Sequence, residues 1–415
     1  MSIPQPRAEL KKRIDTLVNA YLPTLLSFRR DLHAHPELSW EEERTVGQIE
    51  AQLQALGVSF YRSVGTGVVV DIPGDSTLPR VIYRGDIDAL PIVDTKDPTS
   101  TPYASQNSGI CHACGHDVHS TIALAVTHVI HALQSELRAP VRIIFQPAEE
   151  VLPSGAAAMA DAGDLNGASA GLALHVDPSR DVGEVGWLTG PITSATDLFD
   201  LRIRGKAGHS ARPQLAHDAI AAAAAITQEI YGLARRTINP LHTAVLSVGQ
   251  IDGGVAPNVV SASARLRGTI RTLHLDDRFS LHEAFTEMAK ATAAVYGCEV
   301  DVTLTLGAPP VRNDAELAVL VTTSASDVLG AEKVHPLTHP STGAEDFGVF
   351  SDHMRTFMLR LGCATPGEPR RHLHEEGFDL DERSIALGAR IMARAVLALS
   401  QAALPSSSGS GAVNK

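Results

Sequence analysis

The sequence predicts an α/β fold, an open mixed sheet with helices on both faces, into which a smaller α+β domain is inserted. Short apolar runs of strand length alternate with helical stretches in the first half of the chain. After about Trp187 the pattern changes to longer strands of alternating polarity, and after Pro310 helix and short strand return. The resulting assignment is a discontinuous large domain at 1–189 and 307–404, an insert at 190–306, and a disordered low-complexity tail at 405–415.

The spacing of apolar residues predicts the elements of the large domain in order. Residues 8–57 form two helices, and the second runs from about Trp40 to Leu56 and ends at Gly57, as helices commonly do at glycine. Buried strands and further helices follow, because short apolar runs fit strands and longer runs at helical spacing fit helices. The strands are 67–72, 80–84, 141–145 and 170–176, and the helices are 119–134 and 155–162.

The insert is predicted to contain strands and one alanine-rich helix, after which the large domain resumes. The strands of the insert are 198–204, 244–249 and 261–271, and its helix is 219–233. The large domain is completed by a helix at 314–329, a strand at 356–361 and a closing helix at 387–403.

The composition is that of a globular chain with an acidic surface. The 415 residues are 44% hydrophobic and carry a formal net charge of −12, with an isoelectric point near 5.8. This charge argues against nucleic-acid binding and against residence on an anionic membrane. Four cysteines in this length indicate a reducing compartment, and no apolar run resembles a signal peptide or reaches transmembrane length. A cytoplasmic location is therefore expected.

The densest set of metal-binding side chains lies between Ser108 and Ser120. Here Cys114 and His116 flank a single glycine, so a thiolate and an imidazole can meet on one ion across a tight turn. A thiolate ligand favours zinc or another borderline transition metal over calcium or magnesium. The alternative is a redox or disulfide pair formed by Cys111 and Cys114.

Polar residues at predicted strand ends add to this motif. Asp86 follows one strand, Glu149 and Glu150 follow another, and His175 ends a third. In open α/β sheets the ligand crevice lies at the carboxyl ends of the strands, so these side chains are expected to face one another. One glutamate can bind metal while its neighbour holds a water. Adjacent glutamates are also common on solvated surfaces, and a lone histidine is more often structural.

Eight short motifs, in order along the chain, resemble those of the M20 metallopeptidases. The resemblance is greatest to the amidohydrolase branch, which includes hippurate hydrolases, plant auxin-conjugate hydrolases and bacterial N-acyl-amino-acid deacylases. It covers about residues 25–395 and implies a zinc-peptidase-like catalytic domain with an inserted lid and dimerisation domain. The motifs are Arg30–Glu37, Arg84–Ile92, Cys111–His119, Phe145–Glu150, Leu174–Val176, Gly208–Pro213, Gly343–Phe347 and His374–Phe378.

The resemblance implies five ligands for two divalent transition-metal ions, which are zinc, manganese, cobalt or nickel. Cys114 bridges both ions. His116 and His175 complete one site, and Glu150 and His374 complete the other.

The resemblance also assigns roles outside the ligand set. Glu149 is the general base, and Asp86 orients a ligand, since Arg84 stands where related peptidases carry a metal-binding histidine. His209 of the insert reaches the active site of the partner in a homodimer, although Ala207 stands where the family often has a second glycine.

Two further residues are candidates for substrate binding. Arg271 can pair with a substrate carboxylate through both guanidinium nitrogens, and an ordinary surface arginine on a strand is an equally good interpretation. Asn258 is the second candidate.

The implied reaction is metal-dependent hydrolysis of the amide bond of a small N-acyl (acetyl, benzoyl or longer acyl) amino acid, with Glu149 as base toward a metal-activated water. Three alternatives remain. The first is an aminopeptidase, dipeptidase or carboxypeptidase on the same scaffold. The second is a hydrolase with Cys114 as nucleophile. The third is a metal-binding protein without activity.

Overall fold

The computed structural model describes residues 5–405, which form two compact units. Within this range the large unit comprises 5–190, 311–339 and 349–405, and the inserted unit comprises 191–310 and 340–348. The large unit is therefore discontinuous in sequence. Of the tail predicted to be disordered, residues 406–415 lie outside the described residues.

The regular elements are numbered in chain order. The helices are α1 (Ala8–Ala34), α2 (Glu43–Leu56), α3 (His116–Ala132), α4 (Gly155–Asp161), α5 (Ala219–Thr237), α6 (Leu275–Val295), α7 (Ala315–Leu329), α8 (Phe350–His353) and α9 (Arg383–Ala402). The strands are β1 (Phe60–Ser63), β2 (Gly67–Ile72), β3 (Arg80–Asp86), β4 (Val141–Gln146), β5 (Ala168–Asp181), β6 (Val185–Trp187), β7 (Gly190–Pro191), β8 (Ala195–Arg204), β9 (Gly208–His209), β10 (Ala244–Gly253), β11 (Val259–Val260), β12 (Ser263–Thr272), β13 (Glu299–Thr305), β14 (Arg312–Asn313), β15 (Val334–Pro336) and β16 (Arg355–Ala364).

The large unit is built on a mixed sheet with the strand order β1-β2-β4-β3-β5-β16-β14-β7. The central strands β4, β3, β5 and β16 are parallel to their neighbours in this group, whereas β1 and β2 are antiparallel. This mixed sheet with its helices confirms the predicted fold class. The sequence predicted that His175 ends a strand. This is wrong, because β5 continues to Asp181 and His175 lies inside it.

The core of the large unit is made by helices that pack on the sheet and on one another. Helices α1, α3 and α9 are mutual neighbours, and α9 is buried along most of its length. This helix is long and apolar enough to cross a membrane, a possibility the sequence analysis missed because Arg390 and Arg394 interrupt its apolar residues. However, 78% of its most apolar window is buried inside the fold, as in a core helix. The cytoplasmic location stays a prediction.

The inserted unit contains an antiparallel sheet with the order β10-β12-β8-β13. Along β8 the side chains alternate, and the buried ones face α5 and α6, with the Phe199 and Phe285 ring centroids 4.9 Å apart. Helix α6 and strand β13 were absent from the sequence prediction.

The segment 340–348 was assigned to the large domain from the sequence but lies with the inserted unit. Its hydrogen bonds explain the difference. Ser341 N donates to Ile192 O at 2.9 Å, and Ser194 Oγ donates to Thr342 O at 2.7 Å. These two hydrogen bonds attach the short loop to the inserted unit, although the residues before and after it in sequence belong to the large unit.

Candidate metal centre

The loop that carries Cys114 ends in a tight turn at the start of α3. Gly115 has a φ of 82°, a left-handed conformation that favours glycine. A Cβ at this position would lie 2.6 Å from Val176 Cγ2, so only glycine lets the loop approach β5 this closely. Because of this approach, Cys114 Sγ lies 3.5 Å from His175 Nε2.

The other candidate ligands reach the same place from separate elements. His116 is the first residue of α3, Glu150 follows β4, and His374 lies on the loop before α9. The backbone N of His374 donates to Ala113 O at 2.8 Å, which fixes this loop beside the cysteine turn. His374 Nε2 then lies 3.2 Å from Glu150 Oε1.

The ligand atoms form two groups that share Cys114. Cys114, His116 and His175 make one group, and Cys114, Glu150 and His374 make the other; within each group the ligand atoms lie within 4.8 Å of one another. Ligands at about 2.0–2.3 Å from an ion stand roughly 3–4 Å apart, so each group has the size of one metal site. The shared cysteine supports the bridging role that the resemblance implies.

Two buried atoms at the centre also fit a bound cation. His116 Nε2 and Glu150 Oε1 lie 4.0 Å apart, and neither makes a hydrogen bond of good geometry among the described residues, since Glu150 Oε1 meets His374 Nε2 only as an ion pair. Buried polar atoms without a partner are rare in folded proteins. Together with the thiol of Cys114 they offer nitrogen, oxygen and sulfur donors, a set that suits divalent transition metals.

Asp88 orients the centre, although it was not among the residues predicted from the sequence. Its Oδ1 lies 3.0 Å from His116 Nδ1, so it fixes the ring with Nε2 turned toward the other ligands. Its Oδ2 accepts from Glu150 N at 3.1 Å and from Ser39 Oγ at 2.7 Å. One carboxylate therefore positions two candidate ligands. The signal in the sequence was the pair Asp86 and Asp88, of which only the first was chosen.

Asp86 contacts two histidines of α3 and Arg84, and its predicted role of orienting a ligand stays a prediction. Its Oδ1 lies 2.7 Å from His119 Nδ1, its Oδ2 accepts from Arg84 Nη1 at 2.5 Å, and the distance from Oδ2 to His116 Nε2 is 3.8 Å. It therefore holds His119, which the sequence analysis also did not single out. His119 Nε2 accepts from Val176 N at 2.9 Å, so this chain of contacts ties α3 to β3 and β5.

Burial dominates the electrostatics of the centre. It raises the pKa of the Cys114 thiol well above the usual value of a thiol. It lowers the pKa of the His175 ring well below the usual value of an imidazole. Metal binding opposes the first effect, because the thiolate is the binding form and its proton is released. For Asp86, burial alone raises the carboxyl pKa, but Arg84 and two neighbouring histidines hold that pKa well below its usual range.

Glu149 lies with the candidate ligands. Its carboxylate, that of Glu150 and the His116 ring offer ligand atoms within 4.8 Å of one another. The preceding residue, Ala148, has a φ of 48°, and its backbone N donates to the buried Glu42 Oε1 at 2.8 Å. This enforced turn lets the two neighbouring glutamates present their carboxylates to one site.

The remaining candidates belong to the inserted unit. His209 is exposed on β9, and its Nδ1 accepts from Ala211 N at 3.0 Å. Asn258 is also exposed, and its carbonyl accepts from Ser210 N at 3.1 Å, so these two candidates are neighbours. Arg271 Nη1 donates to Thr196 Oγ1 and to Thr342 O, at 3.1 and 2.8 Å. The roles of all three residues stay predictions.

All four cysteines are buried and free. The alternative of a disulfide between Cys111 and Cys114 is therefore wrong for this structure. Burial raises the pKa of the Cys111 thiol to about 11, which keeps it protonated at neutral pH and makes it a poor redox nucleophile.

Comparisons with known proteins identify a family and several relatives. A family model for the peptidase family M20/M25/M40 matches residues 82–398. The chain is 34% identical to an N-acetylcysteine deacetylase of Bacillus subtilis, over 90% of the chain and 96% of that relative. It is 34% identical to an N-acyl-L-amino acid amidohydrolase of Geobacillus stearothermophilus, over 73% of the chain and 81% of that relative. The crystal structure of a dinuclear metal-binding M20 peptidase from Bacillus subtilis matches with a TM-score of 0.79 at 30% identity, over 91% of the chain and 98% of that structure.

Proposed function

The chain belongs to peptidase family M20/M25/M40, and we propose that it uses two divalent transition-metal ions to hydrolyse the amide bond of N-acyl amino acids. The products are a carboxylic acid and a free amino acid. The observation that carries the proposal is the pair of ligand groups sharing Cys114, with Glu149 beside them. Relatives named as deacetylases and amidohydrolases of N-acyl amino acids support the substrate class.

The proposed ligands are Cys114, His116, His175, Glu150 and His374. Bound ions would supply Lewis-acid polarisation of the amide carbonyl and would lower the pKa of a coordinated water. Asp88 keeps His116 Nε2 and Glu150 directed at this position, through the hydrogen bonds to His116 Nδ1 and Glu150 N.

Glu149 is the proposed base. Its carboxylate accepts a proton from the attacking water, whose oxygen adds to the acyl carbon. It then gives the proton to the leaving nitrogen as the C–N bond breaks, which balances the reaction. A general base typically contributes about 10²–10⁴ in rate.

We also propose that two copies of the chain associate through the inserted unit, so that His209 acts in the site of its partner. Strand β10 lies at the edge of its sheet and, among the described residues, pairs with β12 alone. Its side chains Val245 and Ile251 are exposed, as is the nearby Tyr231. An edge strand with one open side and exposed apolar side chains is a template for pairing with a second chain, which supports the proposal.

A substrate panel tests the proposed function. The protein is stripped with a chelator, reloaded separately with zinc, manganese, cobalt or nickel, and assayed on N-acetyl, N-benzoyl and longer N-acyl amino acids and on dipeptides with a free amine. We expect no hydrolysis by the stripped protein and recovery on the N-acyl substrates after reloading. Hydrolysis of free-amine dipeptides alone would identify a peptidase. Activity that survives metal removal but not thiol alkylation would identify Cys114 as a nucleophile.

A further inference from the structure

We propose that an apolar surface beside the metal centre, formed by Trp40, Val151 and Leu152 and called the acyl platform, binds the acyl chain of the substrate and sets the preferred chain length. The proposal rests on the proposed function, because it names the part of the substrate that this surface takes.

The acyl platform is unusual for its exposure. Val151 is 39% exposed and Leu152 is 45% exposed. Among the described residues of the large unit, they are the only consecutive pair of large apolar side chains that are both exposed. Single exposed apolar residues need no explanation, whereas adjacent exposed apolar side chains are candidates for a binding surface.

Hydrogen bonds attach this surface to the metal centre. Asp88 Oδ2 accepts from Ser39 Oγ on one side and from Glu150 N on the other. Trp40 directly follows the first donor and Val151 directly follows the second. Consecutive Cα atoms are about 3.8 Å apart, so even the Cα of Leu152 lies within about 7.6 Å of that of Glu150. The apolar residues Val151 and Leu152 therefore directly follow Glu150, the proposed metal ligand.

The acyl platform is also held rigidly. Trp40 Nε1 donates to Pro153 O at 3.0 Å, which joins its two segments. Trp40 itself has a φ of 68°, a strained conformation for any residue other than glycine. Such strain persists where surrounding contacts enforce it, and it is concentrated at functional sites. A preformed surface of this kind costs little ordering entropy when a ligand binds.

The chemistry of the platform selects the acyl half of the substrate. The amino-acid half carries a carboxylate, which loses solvation without compensation on an apolar surface. The acyl half is apolar, and each methylene that leaves water improves binding about fourfold. An aromatic side chain together with two aliphatic ones suits alkyl and phenyl groups alike.

The test compares N-acetyl, N-butanoyl and N-hexanoyl derivatives of one amino acid. For the metal-loaded protein we expect kcat/KM to rise at least about tenfold from acetyl to hexanoyl, less than complete burial gives because the surface is open. In the double variant Val151→Ser/Leu152→Ser this ratio should fall below about threefold. Leu152→Met keeps the apolar volume and should keep the ratio. Val319→Ser, which removes a side chain that is 56% exposed on α7, is the matched control and should also keep it.

A binding measurement separates this proposal from the proposed function. Calorimetry with acetate and hexanoate needs no turnover, and we expect the wild type, but not the double variant, to bind hexanoate about tenfold more tightly. If no N-acyl amino acid is hydrolysed while this difference persists, the proposed function fails and the acyl platform stands. If the double variant loses kcat/KM equally at every chain length, the segment only positions the glutamates and the proposal is overturned. An unchanged ratio in the double variant overturns it as well.

Discussion

Cys114 is the single side chain that both groups of candidate ligands share. We expect Cys114→Ser to abolish hydrolysis and to lower the metal content, because a hydroxyl is a poor replacement for a thiolate that bridges two ions. The measurement is elemental analysis of the purified variant beside an activity assay. Cys111→Ser is the control, since this buried cysteine lies outside both groups and should keep metal and activity. Equal losses in both variants would contradict the bridging role.

Substitution of the two adjacent glutamates is expected to have different effects, on turnover for Glu149 and on metal binding for Glu150. Glu149→Gln should retain both metals but lose about 10²–10⁴ or more in kcat, because the amide cannot accept the proton. Glu150→Gln should instead lose metal, because its Oε1 lies between His116 and His374. Metal titration of both variants distinguishes the roles. The reverse pattern would show that base and ligand have been exchanged.

Much of the centre could be predicted from residue types alone. Thiol and imidazole groups concentrated in Cys111–His119 pointed to Cys114 and His116, and the predicted strand ends pointed to Glu149, Glu150 and His175. The full ligand set with His374 came only from the family resemblance. Asp88 was missed because its role depends on backbone direction. Strand β3 ends at Asp86, and the chain then turns, so the first aspartate reaches His119 and the second reaches His116. Two acids of the same type two residues apart give no signal for this difference.

At the scale of elements, the inserted unit contains a buried polar cluster around Asp197 on β8. Its carboxylate accepts from Arg278 and His282 of α6 at 2.5–2.8 Å, and from Gly307 N at 2.9 Å. We expect Asp197→Asn to destabilise this unit by about 3 kcal/mol, because it leaves a buried cation without its counter-charge. Asp200→Asn on the same strand, a partly exposed residue paired with Arg265, should cost less than about 1 kcal/mol.

The measurement has to report on the inserted unit alone. Both tryptophans, Trp40 and Trp187, lie in the large unit, so tryptophan fluorescence does not report on unfolding of the inserted unit. Hydrogen exchange of the β8 and α6 amides is the suitable method. Burial raises the pKa of Asp197, but the hydrogen bonds from His282 and Arg278 outweigh this and lower it. The carboxylate therefore stabilises the fold above the unfolded pKa of about 3.9, and the difference from the variant should shrink below about pH 4. A difference that does not depend on pH would contradict the charge-based explanation.

The elements that the sequence failed to predict had weaker patterns than the rest. Helix α6 buries Leu281, Phe285, Ala289 and Ala293, a spacing of four residues that was present in the sequence. Its charged residues, which include the buried Asp277 and Arg278, obscured this pattern because they pair inside the unit. The position of 340–348 depends on hydrogen bonds to residues about 150 positions earlier, which no local pattern reveals.

At the scale of the whole molecule, the proposed action of His209 in a partner subunit can be tested by mixing. His209→Ala and Glu149→Gln proteins should each be nearly inactive. After subunit exchange, mixed dimers contain one site with both groups intact, so activity should recover to at most about a quarter of wild type. This ceiling follows because half of the dimers are mixed and each has one intact site of two. The exchange itself is measured with differently labelled chains.

The result of mixing also bears on the proposed dimer. A charged residue in place of Ile251 on the exposed edge of β10 should prevent recovery if that strand pairs the two chains. Demonstrated exchange without recovery would place His209 in its own chain's site or outside the chemistry.

The discontinuity of the large unit has a consequence for biosynthesis. Helix α1 presents Leu10, Ile14 and Val18 to a core that α9 completes, and nearly the whole chain lies between these helices. At about 5–20 residues per second, the ribosome releases α9 roughly 20–70 s after α1. The apolar face of α1 therefore stays exposed in the nascent chain until α9 is synthesised. The inserted unit, which is almost continuous in sequence, can fold before the large unit is complete. Chaperones that shield emerging apolar segments are expected to act on α1 and its neighbours until α9 has been synthesised.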